Sequence, residues 1–194
     1  MFRYVVIALV LLAPAANAED CDALFLRLMV EGNPEVPVVI EATQSFNGAP
    51  PTITRHSADE TGDWLSEAVE PAALPWSMQR GDVMYQSTDG GQSWSELGRF
   101  TAEQREAGRE KLRQDSETRH DIACGTDTRD GARYQLVEGR YTANSQQDAQ
   151  MFLRYWLDDD GWIALHEMQV RAAAYDLDVT QVLRRVESVK LPTP

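Results

Sequence analysis

ARYQLVEGRY (132–141), DAQMFLRYWL (148–157) and WIALHEMQVR (162–171) are three runs rich in aliphatic and aromatic residues, separated by Ala143-Asn144-Ser145 and by Asp158-Asp159-Asp160-Gly161. Runs of this length bounded by turn residues read as strands. Loops this short leave each strand its chain neighbour to pair with, so the stretch predicts an antiparallel meander. Arg119 to Cys124 reads as the strand before it, with Gly125-Thr126-Asp127 as its turn and Asp130-Gly131 opening the next. Beyond Arg171, the stretch from Ala172 to Leu191 fits helix or strand. The alternation of Tyr175, Leu177 and Val179, with β-branched Val182, Val186 and Val189, favours strand.

Upstream of the meander, Thr101 and Gln104 form a capping box at the head of a helix. Its apolar content is Ala102, Ala107 and Leu112, and its charges point in nearly every direction, so it reads as a solvated connector. Further upstream, Pro37 to Phe46, Thr52 to Ser57, Asp63 to Glu70, Trp76 to Arg80 and Asp82 to Ser87 read as a first set of strands, with Asn47-Gly48 and Pro50-Pro51 marking a turn. The next residues, Ser87-Thr88-Asp89-Gly90-Gly91-Gln92-Ser93-Trp94, match the S-x-D-x-G-x-[ST]-W Asp-box. That motif is a hairpin device in which Ser87, Asp89, Gly91 and Trp94 are the structural residues: the carboxylate accepts backbone N–H groups, glycine supplies positive φ, and tryptophan packs beneath. A propeller needs the unit repeated, and it occurs once.

From Cys21, the spacing of Leu24, Phe25, Leu28 and Met29 keeps one helical face dry, with Asp20 as cap and Gly32 and Pro34 as stop. Before it lie Arg3, the apolar run Tyr4 to Ala13, and Ala16-Asn17-Ala18, the pattern of a signal peptide cleaved after Ala18. The expectation is therefore an exported, periplasmic protein: residues 1–18 a leader, residues 19–194 one α+β domain, no membrane span and no acyl anchor. In an oxidising compartment the two cysteines, Cys21 and Cys124, have one way to pair, which would tie the first helix to the sheet. With 18 basic against 31 acidic residues the net charge is −13, which disfavours phosphate backbones and leaves nucleic acid a poor partner.

Chemistry-bearing patterns are sparse. His56, His120 and His166 are far apart and show no metal-ligand spacing, the Asp158–Asp160 run lacks the alternating oxygens of a calcium loop, and no nucleophile elbow or phosphate loop occurs. No catalytic residue, cofactor or metal is expected. The aromatics are more informative, because they fall on nearly every strand: Phe46, Trp64, Trp76, Tyr85, Trp94, Tyr134, Tyr155, Trp156 and Trp162. They either fill a core against covering helices or line an apolar cavity, for which Phe46, Trp64, Tyr85, Tyr155 and Trp156 are the candidates.

Several segments resemble the lipoprotein-localisation-factor superfamily of exported lipid- and lipoprotein-binding proteins. Asp82-Val83-Met84-Tyr85 running through a glycine turn to Trp94 is similar to its hairpin, and Asp130-Gly131 before Tyr134 to one of its strand starts. Tyr155-Trp156-Leu157-Asp158 with Gly161-Trp162 resembles its W-I-D turn, with Ile163 where proline is usual, and Val189-Lys190-Leu191-Pro192 resembles its closing strand. The resemblance implies a strongly curved antiparallel sheet, a half-open barrel covered by an N-terminal and a mid-chain helix, whose cavity holds acyl chains. A non-enzymatic carrier or binder of a lipid, lipoprotein or other apolar ligand follows. The rival expectations are an envelope interaction or inhibitor module acting through the acidic surface, and a hydrolase whose site is assembled from dispersed residues.

Overall fold

The computed structural model describes residues 20–194 apart from Glu35 and Gln147; the leader and its cleavage point after Ala18 lie outside the described residues. Helix α1 spans Cys21–Glu31, with the Asp20 side chain accepting the Asp22 N–H at its start and Gly32, at φ 66°, at its end. A first meander follows: β1 Val38–Phe46, β2 Thr52–Ala58, β3 Trp64–Glu70, β4 Trp76–Arg80, β5 Val83–Ser87 and β6 Ser95–Arg99. Helix α2, Ala102–Ser116, opens with the expected Thr101–Gln104 capping box. The second meander is β7 His120–Arg129, β8 Ala132–Ala143, β9 Ala149–Leu157, β10 Ile163–Arg171 and β11 Asp176–Arg185.

All eleven strands form one antiparallel sheet in the order β6-β5-β4-β3-β2-β1-β11-β10-β9-β8-β7. The meanders are zipped together by β1 and β11, whose register runs from Val38 opposite Arg185 to Phe46 opposite Leu177. Chain connectivity makes the sheet curl. Laid flat, its edges β6 and β7 would stand about 48 Å apart at normal strand spacing. The 15-residue α2 that joins them spans only about 22 Å, and the linking residues Phe100-Thr101 and Glu117-Thr118-Arg119 cannot supply the rest. Register shifts at Ile53/Thr54, Met84/Tyr85, His120/Ala123 and Ile163/Leu165 add local bends. The result is the expected α+β fold, a curved sheet that does not close.

Two expectations are corrected. Gly125-Thr126-Asp127 is no turn: β7 continues to Arg129, with Gly125 opposite Leu136 and Asp127 opposite Tyr134. The reversal is made by Asp130 and Gly131, both at positive φ, a conformation that glycine and aspartate tolerate and a β-branched residue does not. The closing strand is also displaced. It ends at Arg185, and Val189-Lys190-Leu191-Pro192 lies outside any helix or strand, because β11 has already matched the whole length of β1.

Strand pairing assigns every side chain to a face. Cys124, Val137, Tyr155, His166, Gln181, Ala42, Thr54 and Ala68 lie on one row across β7, β8, β9, β10, β11, β1, β2 and β3, and α1 sits on that inner face. Leu24, Phe25, Leu28 and Met29 of α1 pack into a buried cluster with Val137, Tyr141, Met151, Leu153, Tyr155 and Leu157. The fit is close at Gly139, where a Cβ would stand 2.8 Å from two carbons of the Phe25 ring. The Cys21–Cys124 disulfide forms as expected, bringing the start of α1 within 5.9 Å of β7 between Cα atoms. Arg119 reinforces it by donating from Nε to Asp22 Oδ1 at 3.0 Å. Helix α2 packs against α1 and β8, and its buried residues are Asp115 and Ser116, so it is the solvated connector its composition predicts.

The outer face of the second meander has no second layer, and cations take its place. Arg129 lies 4.4 Å above the Trp156 ring, whose Nε1 donates to Asp127 Oδ2 at 2.9 Å. Arg140 and Arg154 cover Phe152 at 4.4 and 4.7 Å, and Arg154 also pairs with Glu138 and Glu167. Guanidinium stems and planes thus keep Trp156 99% out of water, at 1% exposure, on a face open to solvent.

Candidate functional site: the open half of the inner face

Helix α1 covers the inner face on the β7–β9 side of the second meander. From β10 and β11 across β1–β6 the same face stays open, and two cavities occupy it. The first, about 360 Å3, is lined by Ile40, Ala42, Gln44, Thr54, His56, Ser66, Met168, Leu177, Val179 and Gln181. Every one of these lies on the inner row or an even number of residues, two or four, from it along its strand, and strand alternation therefore points them all the same way. The second, about 460 Å3, is lined by Trp64, Gln79, Met84, Leu97, Gly98, Arg99 and Phe100. Trp64 pairs across to Gln79, Gln79 to Met84 and Met84 to Gly98, which continues the same face to the sheet edge. The cavities meet where the His56 and Trp64 rings lie 4.9 Å apart. Both volumes fall within the range of about 300–1,000 Å3 usual for small-ligand sites.

The two compartments differ chemically. The cavity at the sheet edge is walled by Trp64, Met84, Leu97 and Phe100, with Leu97 59% exposed. Its buried amide, Gln79, is fully engaged: Oε1 accepts from Trp64 Nε1 at 3.2 Å and Nε2 donates to the Gly81 carbonyl at 2.9 Å. The central cavity mixes apolar rungs with Gln44, Thr54, Ser66, His56 and Gln181. Burial pulls the His56 imidazole below its ordinary pKa, favouring the neutral ring. His166 stands at the boundary between cavity and filled core, stacked on Tyr155 at 4.8 Å, with Nδ1 3.1 Å from Gln181 Oε1. Its Nε2 is buried without a partner, and burial lowers its pKa as well.

Of the five aromatics expected to line a cavity, Phe46, Trp64 and Tyr155 share the inner face, whereas Tyr85 and Trp156 point the other way. Met84 and Tyr85, like Tyr155 and Trp156, are chain neighbours, and neighbours in a strand cannot share a face. Of the five, Trp64 is the one that lines either of these two cavities. Phe46, 53% exposed, stacks on Tyr175 at the end of β1, and Tyr155 is sealed under α1. Sequence reading passed over His56, Met84, Leu97, Arg99, Phe100 and Gln181. For His56 a signal existed, its alternation with Thr54 on β2; for Leu97 there was none, because its position depends on an edge bulge.

The Asp-box hairpin forms as its pattern predicts. Asp89 Oδ1 accepts the N–H groups of Gln92 and Ser93 at 3.0 and 2.9 Å, and the buried Ser87 hydroxyl accepts from Gly91 N–H at 2.8 Å. Hydrogen bonds from the Ser93 hydroxyl and N–H hold the Asp89 carboxyl far below the usual carboxylate range. Gly91 is required twice over, by φ 85° and because a Cβ would meet the Trp76 ring at 2.9 Å; the indole under the turn is therefore Trp76 as well as Trp94. At the β9–β10 turn, Asp158 accepts from Asp160 and Trp162 N–H groups and pairs with Arg185, so the acidic run builds a reversal.

The three histidines do not converge. His56 faces Trp64, His166 faces Tyr155, and His120 lies exposed beside the Thr118 carbonyl. Among the described residues no group of three His, Cys, Asp or Glu side chains is placed to hold a metal, and no helix is long and apolar enough to cross a membrane.

Fold and site together define an α+β protein whose single curved sheet is half filled by a helix and half open. No family model matches the sequence, and no curated protein matches it. Among solved structures, LprF from Mycobacterium bovis is similar, with a TM-score of 0.52 and 13% identity over 90% of this chain and 96% of that one. A LolA superfamily protein from Nitrosomonas europaea aligns with a TM-score of 0.46 and 10% identity, over 90% of this chain and 96% of that one. The likeness to LprF shows the fold: this chain shares with LprF an α+β architecture built on one curved antiparallel sheet.

Proposed function

We propose that this is an exported, periplasmic, non-enzymatic binding protein that holds a lipid, the acyl part of a lipoprotein or another apolar ligand on the open half of its inner face. The observation that carries the reading is the pair of adjoining cavities, about 460 and 360 Å3, on the same sheet face whose other half is closed by α1. Arg99 apart, the residues that line them supply apolar rungs and neutral hydrogen-bonding groups. Each methylene removed from water there contributes about 0.8 kcal/mol, so ten of them give about 8 kcal/mol before the ligand's lost freedom is subtracted. The half-barrel fold and the leader expected at residues 1–18 agree with a carrier working outside the cytoplasm.

Native mass spectrometry of the protein purified from periplasm tests this. Wild type is expected to carry lipid, and Val179→Arg, which puts a charge into the central cavity, is expected to lose it while keeping its fold. A wild-type protein free of lipid that also takes up no apolar probe would overturn the reading.

A further inference from the structure

We propose that the central cavity takes the uncharged, hydroxyl-bearing head of a single-chain lipid of the monoacylglycerol type, that His56 and Ser66 hydrogen-bond to that head, and that the tail lies in the cavity at the sheet edge. The proposal rests on the inner-face reading and deepens it by naming the ligand class. Four polar side chains on the wall of the central cavity, Gln44, Thr54, His56 and Ser66, make no side-chain hydrogen bond or ion pair among the described residues. Strand pairing turns all four to the cavity side: His56 stands opposite Ser66 on β3 and Ile40 on β1, Thr54 opposite Ala42, and Gln44 opposite Val179. None of their polar atoms is sealed away, in contrast to His166 Nε2. A wall built to hold hydrocarbon alone would carry aliphatic residues here, as it does at Ile40, Leu177 and Val179.

The edge cavity has no such surplus. Gln79 is spent on the Trp64 indole and the Gly81 carbonyl, and Met84, Leu97 and Phe100 are apolar. The two compartments meet at the His56 and Trp64 rings, so a tail lying against Trp64 and Met84 places its head beside His56. What the walls lack excludes a charged head. The residues lining the central cavity include no acid and no base other than His56, and burial favours the neutral form of that ring. Arg99 borders the edge cavity, but it lies opposite Val83, on the face away from Gln79 and Met84. A carboxylate, phosphate or ammonium would therefore leave water with no opposite charge to meet it. A neutral imidazole offers one donor and one acceptor, and each hydroxyl offers both, which complements the hydroxyls and ester carbonyl of an acylglycerol.

Isothermal titration at neutral pH with monododecanoylglycerol, methyl dodecanoate and dodecanoate tests this. The glycerol ester is expected to bind about fivefold tighter than the methyl ester, the size of one net hydrogen bond. It is expected to exceed dodecanoate by about tenfold or more. His56→Phe keeps a ring against Trp64 and removes both nitrogens; combined with Ser66→Ala it should bring the glycerol ester down to the affinity of the methyl ester, whose own binding should persist and so report an intact cavity. Ser66→Ala alone, the removal of one oxygen, should already lose part of the preference, and His56→Gln, which supplies a donor and an acceptor, should retain part of it. Equal binding of the two esters by wild type, a preference untouched in Ser66→Ala and in the double variant, or dodecanoate held as tightly as the glycerol ester would overturn the polar head site and leave the apolar site standing. Absence of binding by all three would overturn both.

Discussion

The inner face between β7 and β10 is closed by α1, whereas the inner face between β1 and β6 carries no helix, although both belong to one continuous sheet. In the closed half Phe25 is fully buried and Gly139 has been kept bare to admit it. In the open half the inner-face residues Ile40, Gln44, Thr54, His56, Trp64 and Ser66 are only half-buried, and Leu97 and Phe100 face solvent. A domain that had only to be stable would cover both halves, because apolar rungs left to water contribute little. The difference assigns stability to one meander and an unfilled surface to the other. Met168, Leu177 and Leu183 form the seam between them, packed against the core on one side, with Met168 and Leu177 lining the central cavity on the other.

The contrast can be broken in order of expected effect. Phe25→Ala should cost about 3–5 kcal/mol in a urea titration, since it empties a site with little room to collapse. Trp64→Ala, in the open half, should cost about 1 kcal/mol and change ligand uptake instead. Equal losses from the two would dissolve the distinction. Cys21→Ser with Cys124→Ser should cost about 2–4 kcal/mol, because the bond closes a separation of 103 residues, and the loss should appear as a lower unfolding midpoint under oxidising conditions only. Gly139→Ala should cost about 1–3 kcal/mol by pushing on the Phe25 ring, and Phe25→Leu in the same chain should recover part of it.

The smallest effect concerns pH. Burial lowers the pKa of both His56 and His166, so the folded protein binds these protons less readily than the unfolded chain. Stability is then complete above the ordinary imidazole value of about 6.5 and declines as pH falls below it towards the folded pKa values. Urea midpoints measured between pH 7.5 and 5 should fall, and His166→Phe, which can keep the stacking on Tyr155, should flatten the slope. A midpoint indifferent to pH over that range would show that neither ring is held neutral.

Local chemistry was legible where neighbours in sequence are neighbours in space. The Asp20 cap and dry face of α1, the Thr101–Gln104 box and the Asp-box turn each depend on residues a few positions apart. Gly125-Thr126-Asp127 misled because its composition suits a turn, while β8 pairing holds it extended and Trp156 uses its carboxylate. The candidate site was legible in only one of five aromatics, Trp64. Assigning a face needs the phase of each strand, and the phase is set by pairing rather than by hydrophobicity.

By itself the sequence determined two meanders, two helices of different character, the pairing of the only two cysteines and the absence of any contiguous catalytic motif. Tertiary structure decided the rest: that β1 zips to β11, that the sheet curls, that α1 fills one half of its face, and that Leu97 and Phe100 are left exposed at its edge. The physical reason is range. Caps and turns are satisfied within a few residues, whereas a cavity exists only where distant strands fix which side chains face it and how far the covering helix reaches.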